Sequence, residues 1–245
     1  MKKNIQTLSS IVLSALLLAS CSKSANAPVA PEKKDNAAKV LTYIQSLGFS
    51  QRNIVDNGDA YIVDDDIRFP KDMKVPGGKA STEQRWSGSK LTAANALNVR
   101  IKVDPSMTSM MPEINSAIDQ WNNIGGDIAL HFSIVDDAPY DILIRDADLG
   151  EGICGRGTFP SGGSAGNLIQ INKTLIAGNS FAQRQRTITH EIGHNISITH
   201  TNEPNGAIVP GTPATDANSL MNGGQCNVGA TVLSNYDKIA ARWLY

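Results

Sequence analysis

Clustered charge is scarce in this sequence. Lys and Arg number 22 against 23 Asp and Glu, and no basic run is interleaved with aromatics. A nucleic-acid partner is therefore not expected, because phosphate recognition needs a concentrated positive face. Apolar runs are short as well: Ile11 to Ala19 cannot cross a bilayer as a helix. Cysteine occurs three times and histidine four times in 245 residues. With 41% apolar residues the chain can bury one good core, enough for one catalytic-sized domain and a small extra segment. A monomer is expected.

The first residues read as an export signal and not as part of a fold. Lys2 and Lys3 are followed by the apolar stretch and then by small residues. Leu18-Ala19-Ser20-Cys21 resembles a bacterial lipobox. That resemblance implies that residues 1–20 are removed and that Cys21 carries lipid. The protein would then be an exported lipoprotein held at a membrane, with the outer membrane expected, since two or three acyl chains anchor where one does not. An ordinary signal cut near Ala27 is the alternative. Residues 21–36, rich in Lys, Ala and Pro, read as a flexible tether. Export leaves Cys154 and Cys226 as a pair in an oxidising compartment, where a disulfide is the default and two free, buried thiols are the alternative.

Three of the four histidines fall in His190-Glu191-Ile192-Gly193-His194-Asn195-Ile196-Ser197-Ile198-Thr199-His200. On a helix, residues four apart share a face, so His190 and His194 aim at one point with Glu191 beside them. Imidazole suits zinc, and a catalytic zinc site takes three protein ligands and leaves one position open. His200 is the expected third ligand. It cannot lie on the same helical face, so the chain must turn sharply after His194. Glu191 stands where a general base is needed. A bare H-E-x-x-H also occurs on solvated helices, but here the third His and a later Ser219-Leu220-Met221-Asn222 accompany it.

The whole pattern resembles the long zinc motif H-E-x-x-H-x-x-G-x-x-H of the metzincin peptidases. His-Glu-Ile-Gly-His within it resembles the bacterial dual-action HEIGH metallopeptidases, and the likeness extends from about Val55 to Tyr245. The resemblance implies an α+β fold: a twisted mixed five-stranded sheet whose fourth strand is an edge that receives substrate, a covering helix, an active-site helix and a C-terminal helix after a Met-turn. It implies Zn2+ held by His190, His194 and His200, with Met221 as a hydrophobic floor and a protein or peptide as substrate. Two positions depart from the pattern. Ser197 replaces the Gly of the turn, a left-handed position that costs an L-residue roughly 1–2 kcal/mol, with Asn195 as a candidate helper. Gly223 stands where some relatives place a Tyr, and Tyr236 is not assigned that role. Ca2+, found in several metzincins, has no clear motif here; Asp146, Asp148 and Glu151 are the available ligands.

Along the chain, Val40, Leu41, Ile44 and Leu47 recur at helical spacing over about Ala37 to Leu47, and Gly48 offers a stop. Tyr61-Ile62-Val63 is β-like and runs into Asp64-Asp65-Asp66, which on composition alone is a solvated turn. Strands are expected over Leu97–Val103, Ile128–Val135, Tyr140–Arg145, Ile153–Phe159 and Asn167–Asn172. A covering helix is expected around Pro112, with Ile114, Ala117, Ile118 and Trp121 inward. His131 falls in the second strand and reads as structural. Asn179 or Ser180 would cap the zinc helix with Gln183 as capping-box partner, and Ser234 with Asp237 would cap the last helix.

Four parts follow: signal 1–20, tether 21–36, a pro-like segment 37–80 and a catalytic domain 81–245. Asp66-Ile67 loosely resembles the Asp-containing segment by which astacin-type propeptides place a carboxylate on zinc, which makes Asp66 a candidate latency ligand. The expected function is a zinc endopeptidase. A surface-anchored binding or adhesive module that keeps the metal site but turns over weakly is the competing class.

Overall fold

The computed structural model describes residues 31–76, 85–224 and 226–245. Cys21, the signal, most of the tether and residues 77–84 of the expected boundary lie outside them. Helix α1 (Pro31–Ser46) starts earlier than the apolar spacing indicates. The end of the expected tether is therefore helical, fixed by Asn36 Nδ2 donating to the carbonyls of Lys71 and Met73. Strands β1 (Ile54–Asn57) and β2 (Ala60–Val63) form a hairpin through Gly58-Asp59. Strand β3 (Ile67–Pro70) pairs antiparallel with β2. The loop between them is Asp64-Asp65-Asp66, with Asp64 at φ 52° and Asp65 at φ 61°. Asp enters this left-handed region more readily than most residues because its short carboxylate can bond locally.

The remainder begins with β4 (Arg85–Trp86), the short helix α2 (Ala93–Ala96) and β5 (Val99–Val103). Helix α3 (Met111–Asn122) buries Ile114, Ala117, Ile118 and Trp121 as their spacing requires. Strands β6 (Phe132–Val135), β7 (Ile142–Asp146), β8 (Gly155–Thr158) and β9 (Leu168–Ile171) follow, then α4 (Lys173–Ile176) and α5 (Phe181–Asn195). Strand β10 (Ala207–Ile208) pairs with β4, and α6 (Asn235–Leu244) closes the chain. Most strands are shorter than their apolar runs. Leu97 is exposed ahead of β5, and His131 is exposed just before β6 and outside it.

One sheet has the order β1-β2-β3-β8-β9-β7-β5-β6. Its last five members are the expected five-stranded sheet, mixed because β8 alone among them runs antiparallel to its neighbour β9. The N-terminal segment extends that sheet to eight strands. Strand β3 lies parallel to β8, with Ile67 opposite Gly157 and Arg68 opposite Thr158, so the expected substrate edge is covered. The core is split accordingly. The main cluster includes Trp121 from α3, Ile144 from the sheet, Ile192 from α5 and Leu244 from α6. A second cluster, with Val40, Ile44, Phe49 and Phe69, belongs to the N-terminal segment and takes Phe159 from just beyond β8. Phe69 and Phe159 meet edge-to-face at 5.1 Å. Among the described residues no helix is long and apolar enough to cross a membrane.

Candidate metal centre

Ser180 caps α5 by accepting from the Gln183 amide, but Gln183 donates its own side-chain amide to the Gly229 carbonyl, so the capping box is not completed. From this start α5 carries His190, Glu191 and His194 into the protein, each at most 4% exposed. The helix lies close against β8. A Cβ at Gly155 would stand 2.4 Å from Glu191 Oε1, and one at Gly157 would stand 2.8 Å from His194 Cβ. Two glycines on one face of a strand are the signal for such an approach, and sequence reading passed over them.

The turn that returns His200 runs through Ser197 at φ 93°. Ser197 thus takes the left-handed conformation itself. Its hydroxyl lies 2.8 Å from Ser87 Oγ, and its carbonyl accepts from the Ser87 amide at 2.8 Å, so the residue after β4 clamps the turn. Asn195 contributes elsewhere: its Nδ2 donates to the carbonyls of Gly166 and Leu168, tying the helix end to the start of β9.

His190, His194, His200 and Asp66 form one group of convergent donors. Asp66 Oδ2 lies 3.1, 3.4 and 2.7 Å from the Nε2 atoms of His190, His194 and His200, and the Nε2 atoms of His190 and His200 are 3.3 Å apart. Four ligands arranged tetrahedrally at zinc's usual distances of about 2.0–2.2 Å would stand about 3.3–3.6 Å from one another. The observed donor set therefore fits one small divalent ion. The far sides of two rings agree with this. His190 Nδ1 donates to the Leu220 carbonyl at 3.0 Å, and His194 Nδ1 donates to the Ile198 carbonyl at 2.8 Å. Donation from Nδ1 leaves the lone pair on Nε2, where a metal needs it. His200 Nδ1 faces Glu203 Oε1 at 3.6 Å.

Electrostatics point the same way. Burial would raise Asp66, but hydrogen bonds from the three imidazoles outweigh it and hold the carboxyl well below its usual range. Burial pushes His190 down to about 4. Burial also opposes charge on His200, yet Asp66 and Glu203 together raise it to about 10. The acids around His200 thus favour positive charge at this centre. A divalent cation would supply it in competition with protons, so metal affinity at such a site is pH-dependent. Burial and then the Asp66 charge push Glu191 well above the ordinary carboxylate range, and its buried Oε2 has no hydrogen-bond partner among the described residues.

Met221 is fully buried, and its carbonyl accepts from the Thr201 amide, which brings it beside His200. This turn is held from α6. Asp237 completes the capping box with Ser234, accepts from Ser219 Oγ at 2.5 Å and accepts from the Leu220 amide at 2.9 Å. A buried carboxylate in the last helix thereby fixes the residue whose carbonyl orients His190. Gly223 is not simply a missing Tyr: a Cβ there would lie 2.6 Å from His200 Nδ1, so the imidazole fills that space. Tyr236 is 39% exposed.

Cys154 and Cys226 are joined in a disulfide across 72 positions of sequence, which ties the residue before β8 to the segment after Met221. Asp146 instead accepts from the Lys173 amide, and Asp148 caps a local turn at Gly150. Among the described residues, Asp146, Asp148 and Glu151 do not converge; the second convergent group is Asp64, His200 and Glu203.

A family model described as dual-action HEIGH metallo-peptidase matches residues 57–241. No curated protein matches the chain. Two solved structures of myroilysin resemble it at 15% and 16% identity, with TM-scores of 0.44 and 0.43, covering 64% and 69% of this chain and 95% and 91% of theirs. High choriolytic enzyme 1, a hatching enzyme zinc-protease from the medaka fish Oryzias latipes, resembles it at 15% identity and a TM-score of 0.39, covering 66% of this chain and 94% of its own.

Proposed function

The chain belongs to the dual-action HEIGH metallopeptidases, and on that premise we propose that it is a zinc-dependent endopeptidase, exported, lipid-anchored through Cys21 and kept latent by its N-terminal segment. The observation that carries the catalytic part is the convergence of three Nε2 atoms, two of them fixed in the metal-binding tautomer by backbone carbonyls. His190, His194 and His200 hold the ion. Zinc there would supply Lewis acidity, polarising a scissile carbonyl and acidifying a water. Glu191 is the base. Its buried Oε2, without a hydrogen bond among the described residues, and its raised proton affinity suit a group that takes a proton from water and delivers it to the leaving amine. The β8 edge, once free, would receive an extended peptide by backbone pairing.

Two contacts support latency. Asp66 Oδ2 stands as the fourth donor beside the three Nε2 atoms, where a carboxylate is a competent zinc ligand. Strand β3 occupies the β8 edge, and the Gly157 amide donates to the Asp66 carbonyl at 3.0 Å. One segment would thus block both the metal and the peptide track. Release follows from cutting between about Lys79 and Arg85. The domain division at residues 37–80 and 81–245 is part of this proposal.

The test is cleavage of unfolded casein by purified full-length chain after that processing. The expected result is hydrolysis that a chelator abolishes and zinc restores. Metal binding without any hydrolysis of casein would assign the chain to the binding-module class instead.

A further inference from the structure

Resting on the endopeptidase assignment, we propose that the cleft selects peptides with an acidic side chain on one side of the scissile bond, held by Arg186 and Arg156. A cavity of about 120 Å³ opens beside His190 and Glu191, and Arg186 forms part of its wall. Arg186 sits on α5 one turn ahead of His190 and is only 4% exposed. Its Nη2 donates to the Asn222 carbonyl at 2.9 Å and, more weakly, to the Leu220 carbonyl at 3.4 Å. A guanidinium held in place at that depth is a fixed positive charge within reach of whatever enters the cavity. Arg156 adds a second charge from β8, where its Nε donates to the Asp65 carbonyl at 3.0 Å.

What now fills this cleft is acidic. Asp64, Asp65 and Asp66 all line the cavity. Asp66 lies within electrostatic range of both arginines, and Asp65 within range of Arg156. The complementarity is one-sided. Beyond His200 the charges are negative: Glu203 Oε1 lies 3.6 Å from His200 Nδ1, and the Asp64 and Glu203 carboxylates converge there. A substrate acid is therefore favoured on the Arg186 flank of the metal and disfavoured on the His200 flank. When the N-terminal segment leaves, its carboxylates vacate the arginine flank and a substrate carboxylate can take their place.

Processed full-length protein and matched peptides, differing only by Asp or Asn at each position around one bond, provide the test. Casein cleavage is measured first, so that loss of the endopeptidase reading is seen separately. The expected result is a kcat/KM ratio for Asp over Asn of roughly tenfold at one position on one side of the bond, falling as salt rises. The ratio should drop to about one in Arg186→Gln and fall in Arg156→Gln, and because it is taken within each variant, any loss common to both peptides cancels. Arg186→Gln tests position as well as charge; if it does not fold, the native ratio, its salt dependence and Arg156→Gln decide. Active enzyme with no acid preference at any position, or a preference indifferent to salt and to Arg156→Gln, would overturn the proposal.

Discussion

Asp66 Oδ2 lies 2.7 Å from His200 Nε2, although 134 positions of sequence separate the two residues. The contact is built by a hairpin loop with two left-handed Asp residues before Asp66, and by β3 pairing onto β8 directly after it. Removing the carboxylate should free the metal without freeing the strand edge. Asp66→Ala is therefore expected to raise hydrolysis of short peptides by the uncut chain about 10- to 100-fold, the worth of a buried charge-assisted bond set, and hydrolysis of casein by less. Equal activity of wild type, cut protein and Asp66→Ala on both substrates would show the segment to be a spacer.

Glu191 packs against Gly155 and Gly157, and among the described residues its Oε2 makes no hydrogen bond. Glu191→Ala should keep the metal while turnover falls by roughly 10²–10⁴-fold. Metal content by elemental analysis, read beside kcat, checks this; near-normal kcat with metal present would remove Glu191 from the mechanism.

The Cys154–Cys226 bridge closes 72 positions of chain. In the chain-entropy model such a loop contributes about 4 kcal/mol of stability. Paired replacement of both cysteines by Ala should lower the urea midpoint accordingly and loosen the join between β8 and the Met221 turn. An unchanged midpoint would show that the native contacts hold that join without the bridge.

Ser197 carries a left-handed backbone, and its hydroxyl makes two contacts to Ser87. Ser197→Gly relieves roughly 1–2 kcal/mol of strain while losing hydrogen bonds, so its stability should stay near that of wild type. Ser197→Ala keeps the strain and loses the bonds, and should be the less stable of the two by chemical denaturation. The reverse order would mean that left-handed strain does not decide the stability of this turn.

The catalytic half of the molecule was legible because its signals are local. His190 and His194 are one helical turn apart, Ser234 and Asp237 cap as their spacing indicates, and two cysteines left over after export had one another as partners. Strand limits were less clear, since Leu97 and Ile128 continue an apolar pattern that the sheet does not use. The N-terminal segment hid most. Gly58-Asp59 is a hairpin signal of the ordinary kind, but the pairing of β3 with β8 is short, parallel and far apart in sequence, and no local pattern encodes it. Arg186 and Glu203 were missed for a similar reason: each sits close to the zinc motif in sequence, yet its meaning depends on a cleft wall supplied from elsewhere.

The position of the metal tests the account most directly. Crystals of the intact chain grown with zinc, measured on both sides of the zinc absorption edge, should show one strong anomalous peak among the Nε2 atoms of His190, His194 and His200, in contact with Asp66 Oδ2. A zinc peak elsewhere, or none at this centre in zinc-replete protein, would contradict it.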